Sequence, residues 1–231
     1  EKIVAECEKS GVHTKFIPDY GNIIPTRPYT EDLLGLPVIN IRYVPLSNTF
    51  NALIKRLTDI IGAIICIIIF SPIMLTSAVL VKMTSKGPLI FKQERVGLHN
   101  KPFQMYKFRS MVVQDEKDEK KGWTTKNDPR VTPIGKFIRK TSIDELPQLF
   151  NILKGDMSFI GPRPLLVSYL PYYTETEALR HTVRPGLTGL AQVSGRNFLD
   201  WDRRLAKDVE YVKGLSFQMD LKVLFLTVKV V

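Results

Sequence analysis

From Ile60 to Val81 the chain runs through 22 uncharged, mostly aliphatic residues, with Ser71-Pro72 near the middle. A hydrocarbon core of roughly 30 Å needs about 20 apolar residues in one helix, so length alone permits a span. Pro72 argues against a continuous one. It removes a backbone donor and crowds the preceding turn, at about 3 kcal/mol in a helix interior, and Ser71 is placed to bond a freed carbonyl. The expected element is helix, break, helix, with Ser71 and Pro72 at the bend and arms of roughly 15 Å each that enter one leaflet and return. Lys55 and Arg56 precede the run, and Lys82, Lys86 and Lys92 follow it. An excess of Lys and Arg marks a cytoplasmic flank, so both ends are expected on that side. The competing reading is an ordinary span with a proline kink.

Elsewhere the pattern is that of a mixed α+β protein. Ile3, Val4 and Cys7 share a helical face that Gly11 would end, and Val12 to Ile17 and Leu36 to Ile41 read as strands. Roughly 46 residues bury too little to fold alone. Residues 1–46 are therefore expected to be the remnant of an upstream α/β domain, with Arg42 to Ser47 as linker, in a chain cut from a longer protein. Residues 47–88 form the membrane part and 89–231 the third part. There, Leu89 to Phe91 and Phe103 to Phe108 read as short strands around a turn at Gly97 to Lys101, and Asp115 to Lys121 as a solvated charge run. Leu146, Leu149, Phe150 and Leu153 repeat at helical spacing over Asp144 to Lys154, and Gly155 ends the pattern. Phe198 to Val212 is amphipathic. Leu221 to Val231 is apolar except for Lys222 and Lys229, and is too short to span; an interfacial helix with snorkelling lysines and a buried strand or helix both fit.

Charge sharpens this division. The net charge is +10, yet residues 1–46 hold five basic and six acidic side chains, so the excess belongs wholly to the remainder. Such a field suits anionic lipid or a phosphorylated substrate. Nucleic acid is not the expected partner, because the aromatics follow core patterns and no binding motif is present. Two cysteines, Cys7 and Cys66, give no disulfide framework and point to a reducing compartment.

Asp144 and Glu145 are adjacent carboxylates where a helix begins. Both suit capping and the helix dipole, with a Ser142 to Glu145 capping box in one register. The surrounding cations favour chemistry instead. Arg139 lies five residues before the dyad, and Arg163 stands between Pro162 and Pro164, where its planar fork suits phosphate oxygens. Lys107 and Arg109 alternate on an expected strand and would share a face. Arg184 opens Arg-Pro-Gly-Leu-Thr-Gly, whose glycines would let backbone approach a ligand. Together these clusters suggest carboxylate chemistry on a polyphosphate.

Ser71-Pro72, Lys-Phe-Arg-Ser (107–110), Thr-Ser-Ile-Asp-Glu-Leu-Pro-Gln-Leu (141–149), Gly-Asp-Met-Ser-Phe-Ile-Gly-Pro-Arg-Pro (155–164) and Arg-Pro-Gly-Leu-Thr-Gly (184–189) resemble the bacterial sugar transferases. These are monotopic polyprenyl-phosphate phosphoglycosyltransferases, and the likeness covers roughly residues 48–231. It implies transfer of a sugar 1-phosphate from a UDP-sugar to undecaprenyl phosphate at the cytoplasmic face of the bacterial inner membrane, with release of UMP. The products start capsule, exopolysaccharide, O-antigen or glycoprotein glycan assembly. It also implies Asp144 as the nucleophile and a ligand of Mg2+, Glu145 as its acidic partner, and Lys107, Arg109, Arg139, Arg163 and Arg184 on the substrates. It leaves homo-oligomerisation open. The stretch Leu165 to Tyr173 resembles small members that act on N-acetylated sugars, whereas the N-terminal part resembles large members that act on glucose or galactose, so the sugar is not assigned. Two other readings remain at this stage. One is direct transfer in a ternary complex, with Asp144 as metal ligand only. The other is a catalytically idle membrane-bound assembly module.

Overall fold

The structure is a computed structural model that describes residues 29–33, 36–40, 49–112, 128–195 and 199–230. By contacts the chain divides into Glu1–Val44 and Pro45–Val231. In the first unit β1 (Tyr29–Leu33) and β2 (Leu36–Asn40) pair as an antiparallel hairpin. The expected helix around Ile3 to Cys7, the strand Val12 to Ile17, the linker Arg42 to Ser47 and the charge run Asp115 to Lys121 lie outside the described residues.

In the second unit the apolar run belongs to α1 (Thr49–Thr84), which passes through Pro72 as one helix. The expected break into two helices is therefore corrected. Pro72 leaves the Ile68 carbonyl without its usual amide donor, and the Ser71 hydroxyl donates to that carbonyl at 2.8 Å. The Thr76 hydroxyl donates to the Pro72 and Ile73 carbonyls at 2.9 and 3.0 Å. The proline's loss is thus met locally, as hydroxyl side chains allow in apolar surroundings. Among the described residues α1 is the one helix long and apolar enough to cross a membrane.

Both halves of α1 pack on the same globular body. In the first half Ala63 is fully buried among Met105, Leu149, Ile152 and Met157. In the second half Val81 is buried with Phe108 and Ile138, and Met74 and Ala78 pack beside them. Polar contacts lock the first half further. Arg56 donates to the Ile152 and Leu153 carbonyls at 2.6 and 2.7 Å. These are last-turn carbonyls of α3 (Gln148–Lys154), where a cation bonds the terminal acceptors and complements the helix dipole. Buried Asp59 accepts from the Ser158 hydroxyl at 3.0 Å and the Phe159 amide at 3.1 Å. The other side of α1, including Leu57, Ile61, Ile65, Ile68 and Leu75, is exposed.

The hairpin of β3 (Ile90–Val96) and β4 (Pro102–Phe108) forms around the expected turn. Then come α2 (Pro133–Lys140), capped by the Thr132 side chain on the Gly135 amide, and α3, ended by Gly155 at φ 95°, the left-handed backbone that glycine accepts without strain. A parallel pair, β5 (Ser158–Ile160) and β6 (Gly186–Thr188), sits between them and the C-terminal helices. Those helices are α4 (Glu175–Ala178), α5 (Leu190–Gly195), α6 (Trp201–Lys213) and α7 (Phe217–Val230). The last is a helix, and Phe217, Leu221, Leu224, Phe225 and Val228 are all exposed on it, while Val223 is fully buried.

The glycines of the Arg184 motif meet backbone. A Cβ on Gly186 would lie 2.1 Å from the Gly161 nitrogen and 2.4 Å from the Thr188 oxygen, and one on Gly189 would lie 2.2 Å from the Gly161 oxygen. The sequence expectation of close approach holds, but the approaching partner is the neighbouring strand. Gly186→Ala is therefore expected to destabilise by about 3 kcal/mol, a fall in melting temperature of roughly 10 °C in detergent. An unchanged melting temperature would show that the two strands can part freely.

Candidate active site

The dyad lies on a single 3-10 turn, Ile143–Glu145, between α2 and α3. Ser142 just before it is left-handed, at φ 58°, a conformation that is uncommon for a residue with a side chain and that clusters at functional positions. It reverses the chain so that consecutive carboxylates emerge from one tight turn. Neither capping register forms: Ser142 makes no side-chain cap, and α3 starts at Gln148 with Pro147 in the capping position. The helix expected from Asp144 thus begins four residues later.

Glu145 is held by two cations. Its Oε1 accepts from Lys107 Nζ at 2.7 Å and from Arg163 Nη2 at 3.0 Å. Burial raises its pKa, but Arg163 and Lys107 outweigh that and hold the carboxyl below its usual range. Asp144 differs. It is 8% exposed, and burial pushes its carboxyl above the usual range, with Glu145's charge adding to the rise against the pull of Lys107 and Arg139. One carboxylate is fixed as a charged anchor and its neighbour is left partly desolvated, a division of environments typical of acid, base and nucleophile sites. Lys107 is placed by β4, which Asn151 binds to α3. The Asn151 side chain accepts from the Tyr106 amide at 3.0 Å and donates to the Gln104 carbonyl at 2.8 Å.

A cavity of about 500 Å³ opens beside the dyad, within the range of small-molecule sites. Arg139, Arg163, Arg180 and Arg204 line it together with Asp144, Glu145 and Asp208. Leu146, Phe159, Leu187 and Leu224 supply an apolar wall.

The profile of the family described as "Bacterial sugar transferase" matches residues 50–231. The chain belongs to the bacterial sugar transferase family. It is 45% identical over 238 residues to a UDP-glucose:undecaprenyl-phosphate glucose-1-phosphate transferase of Klebsiella pneumoniae, covering 99% of this chain and 50% of that protein. It is 51% identical over 177 residues to a sugar transferase of Bacillus subtilis, covering 77% of this chain and 86% of that protein. An undecaprenyl-phosphate galactose phosphotransferase of Salmonella typhimurium is 44% identical over 201 residues, covering 80% of this chain and 42% of that protein. The chain thus spans about half the length of the Klebsiella relative and less of the Salmonella one.

Of the cations expected at this sugar transferase's site, Lys107, Arg139 and Arg163 gather at the dyad. Arg109 and Arg184 do not line the cavity. Arg109 falls one residue past the end of β4, and its guanidinium is taken up by Ser85, donating to the hydroxyl and carbonyl at 3.2 and 2.6 Å. Arg184 donates to the Gly155 carbonyl at 2.9 Å. Sequence reasoning missed Arg180, Asp208, Arg204 and Gln192. A signal for one of them existed: Leu205, Asp208, Val209 and Val212 form the buried stripe of α6, and a carboxylate at core spacing calls for a buried partner.

Among the described residues no three His, Cys, Asp or Glu side chains gather as a metal cage. Glu145 has one oxygen already committed to two cations. This donor set fits Mg2+, which characteristically takes one or two carboxylates and completes its shell with substrate phosphates and water; Asp144 and the second oxygen of Glu145 would hold it.

Proposed function

We propose that the protein transfers a sugar 1-phosphate from a UDP-sugar to undecaprenyl phosphate through a covalent aspartyl phosphosugar, at the cytoplasmic face of the bacterial inner membrane. The reading is carried by one observation: a desolvated Asp144 beside a Glu145 clamped by Lys107 and Arg163, facing a cavity lined by arginines. The names of the relatives, which carry undecaprenyl phosphate with glucose or galactose, supply the substrate class.

An Asp144 oxygen attacks the phosphorus that bears the sugar, the bond to UMP breaks, and UMP leaves with the electron pair. A phosphate oxygen of undecaprenyl phosphate then attacks the same phosphorus, forming the lipid diphosphate sugar and restoring the carboxylate. Splitting the transfer lets two bulky polyanions use one cavity in turn. An anionic nucleophile must approach an anionic phosphate, and Arg139 and Arg163 lower that barrier by balancing the equatorial oxygens. Bound Mg2+ would supply further charge neutralisation at the diphosphate.

Membrane attachment rests on α1. Its first and second halves pack against one globular body, which suits a monotopic placement on one face of the bilayer: a helix crossing some 30 Å of hydrocarbon would carry its ends to opposite sides. The exposed apolar side chains of α7 add surface of the kind that enters a lipid interface.

The test is UMP release from the purified chain in nanodiscs, across a panel of UDP-sugars, with undecaprenyl phosphate withheld. One UMP per enzyme is expected with the true donor, followed by turnover when acceptor is added. Release only with acceptor present would establish direct ternary transfer, and silence with every donor and acceptor would leave an assembly module.

A further inference from the structure

Arg163 reaches Glu145 from a side chain that is 46% exposed, and nothing about a half-solvated arginine fixes its aim. Its backbone is what is held. Each carbonyl from Pro162 to Leu165 has a donor: the Gly186 amide on Pro162 at 3.0 Å, Arg180 Nη2 on Arg163 at 2.6 Å, Arg95 Nη1 on Pro164 at 3.4 Å, and the Val96 amide on Leu165 at 3.0 Å. The Arg163 carbonyl is thus oriented by a side chain that is 2% exposed, which also pairs with Asp208 at 2.8 Å and donates to the Tyr173 hydroxyl at 2.9 Å. Asp208 is equally buried. Such a pair is a poor stability device, because apolar residues of the same volume avoid its desolvation penalty. What it supplies is direction: a planar fork that holds a carboxylate, a phenol and a backbone oxygen at once.

We infer that Arg180 is a positioning residue, with Asp208 as its counter-ion, that fixes the Arg163 peptide and so aims the Arg163 guanidinium at the dyad and the phosphate beside it. The role rests on the transfer reading above. It also accounts for two buried charges that the transfer steps do not themselves use.

The experiment is a double-mutant cycle in the full chain. Replacing the pair together by Arg180→Met with Asp208→Leu removes both buried charges, so melting temperature is expected to hold while kcat/KM for UMP release falls at least about tenfold. In an Arg163→Ala background the same replacement is expected to change kcat/KM less than about twofold, because a residue that acts through Arg163 has nothing left to aim. Additive losses in the two backgrounds overturn the proposal. If the double replacement does not fold, Arg180→Lys, which keeps the charge and loses the fork, is run through the same cycle with the same two expectations. Wild type that releases no UMP from any donor refutes the transfer reading instead. The cycle is then read on equilibrium binding of UDP, where coupling to Arg163 upholds the positioning role and additivity removes it. Wild type that binds no UDP overturns both.

Discussion

Asp144→Asn is expected to lower UMP release at least about a thousand-fold, roughly 4 kcal/mol in barrier, with the protein still folded and membrane-bound. The amide has the carboxylate's shape but no electron pair basic enough to displace UMP. Folding has no reason to suffer. Burial already disfavours the charged form of Asp144, so a neutral side chain removes a liability at neutral pH. The sign follows from linkage: a carboxyl whose folded pKa is raised contributes stability at low pH that is lost as pH rises through the unfolded and then the folded value. The variant should therefore melt at the wild-type temperature or above it at pH 7 while losing its chemistry. Retention of more than about a tenth of the activity, a difference of only 1.4 kcal/mol, would remove Asp144 as nucleophile.

The second large effect is one of sidedness. In a background with Cys7→Ser and Cys66→Ser, probes introduced by Asn51→Cys and Lys86→Cys, both at exposed positions flanking the apolar run, should react fully with a membrane-impermeant thiol reagent added to inverted vesicles. Neither should react in intact spheroplasts. The expectation rests on the contacts of Ala63 and of Val81 with one body. Opposite accessibility of the two positions would make α1 a span and would separate one half of the helix from the residues it packs on.

What the sequence made legible was chiefly local. The dyad, the turn between β3 and β4 and the glycine stop after α3 each rest on residues close together in the chain, where turn chemistry and periodicity speak directly. Pro72 misled because its penalty is set by what replaces the lost donor, and the Ser71 hydroxyl does so from the adjacent position. Arg109 misled because its guanidinium is taken by the Ser85 hydroxyl and carbonyl, a partner 24 residues earlier that strand alternation does not reveal. Asp208 stood at core spacing in α6, but its pairing with Arg180 was silent for another reason. The two are separated by β6 and α5, and no local rule says which buried carboxylate will meet which buried guanidinium. The glycines of 184–189 were read for the right property and the wrong partner, because sequence records the need for space and not what fills it.

Arg56 and Asp59 have a consequence for where this protein can exist in working form. They make the long apolar helix a structural member of the half that carries Asp144 and Glu145, comparable to a central strand in a sheet. A water-soluble version trimmed to begin after Thr84 would lose the guanidinium that closes the end of α3, the carboxylate that receives the Ser158 hydroxyl and the Phe159 amide, and Ala63 and Val81 from two core clusters. The turn carrying Asp144 lies directly between α2 and α3, the helices against which those clusters are built. Packing of α1 and assembly of the turn that carries Asp144 are therefore one folding event, and a chain stripped of that helix has no finished turn on which to hold the carboxylate.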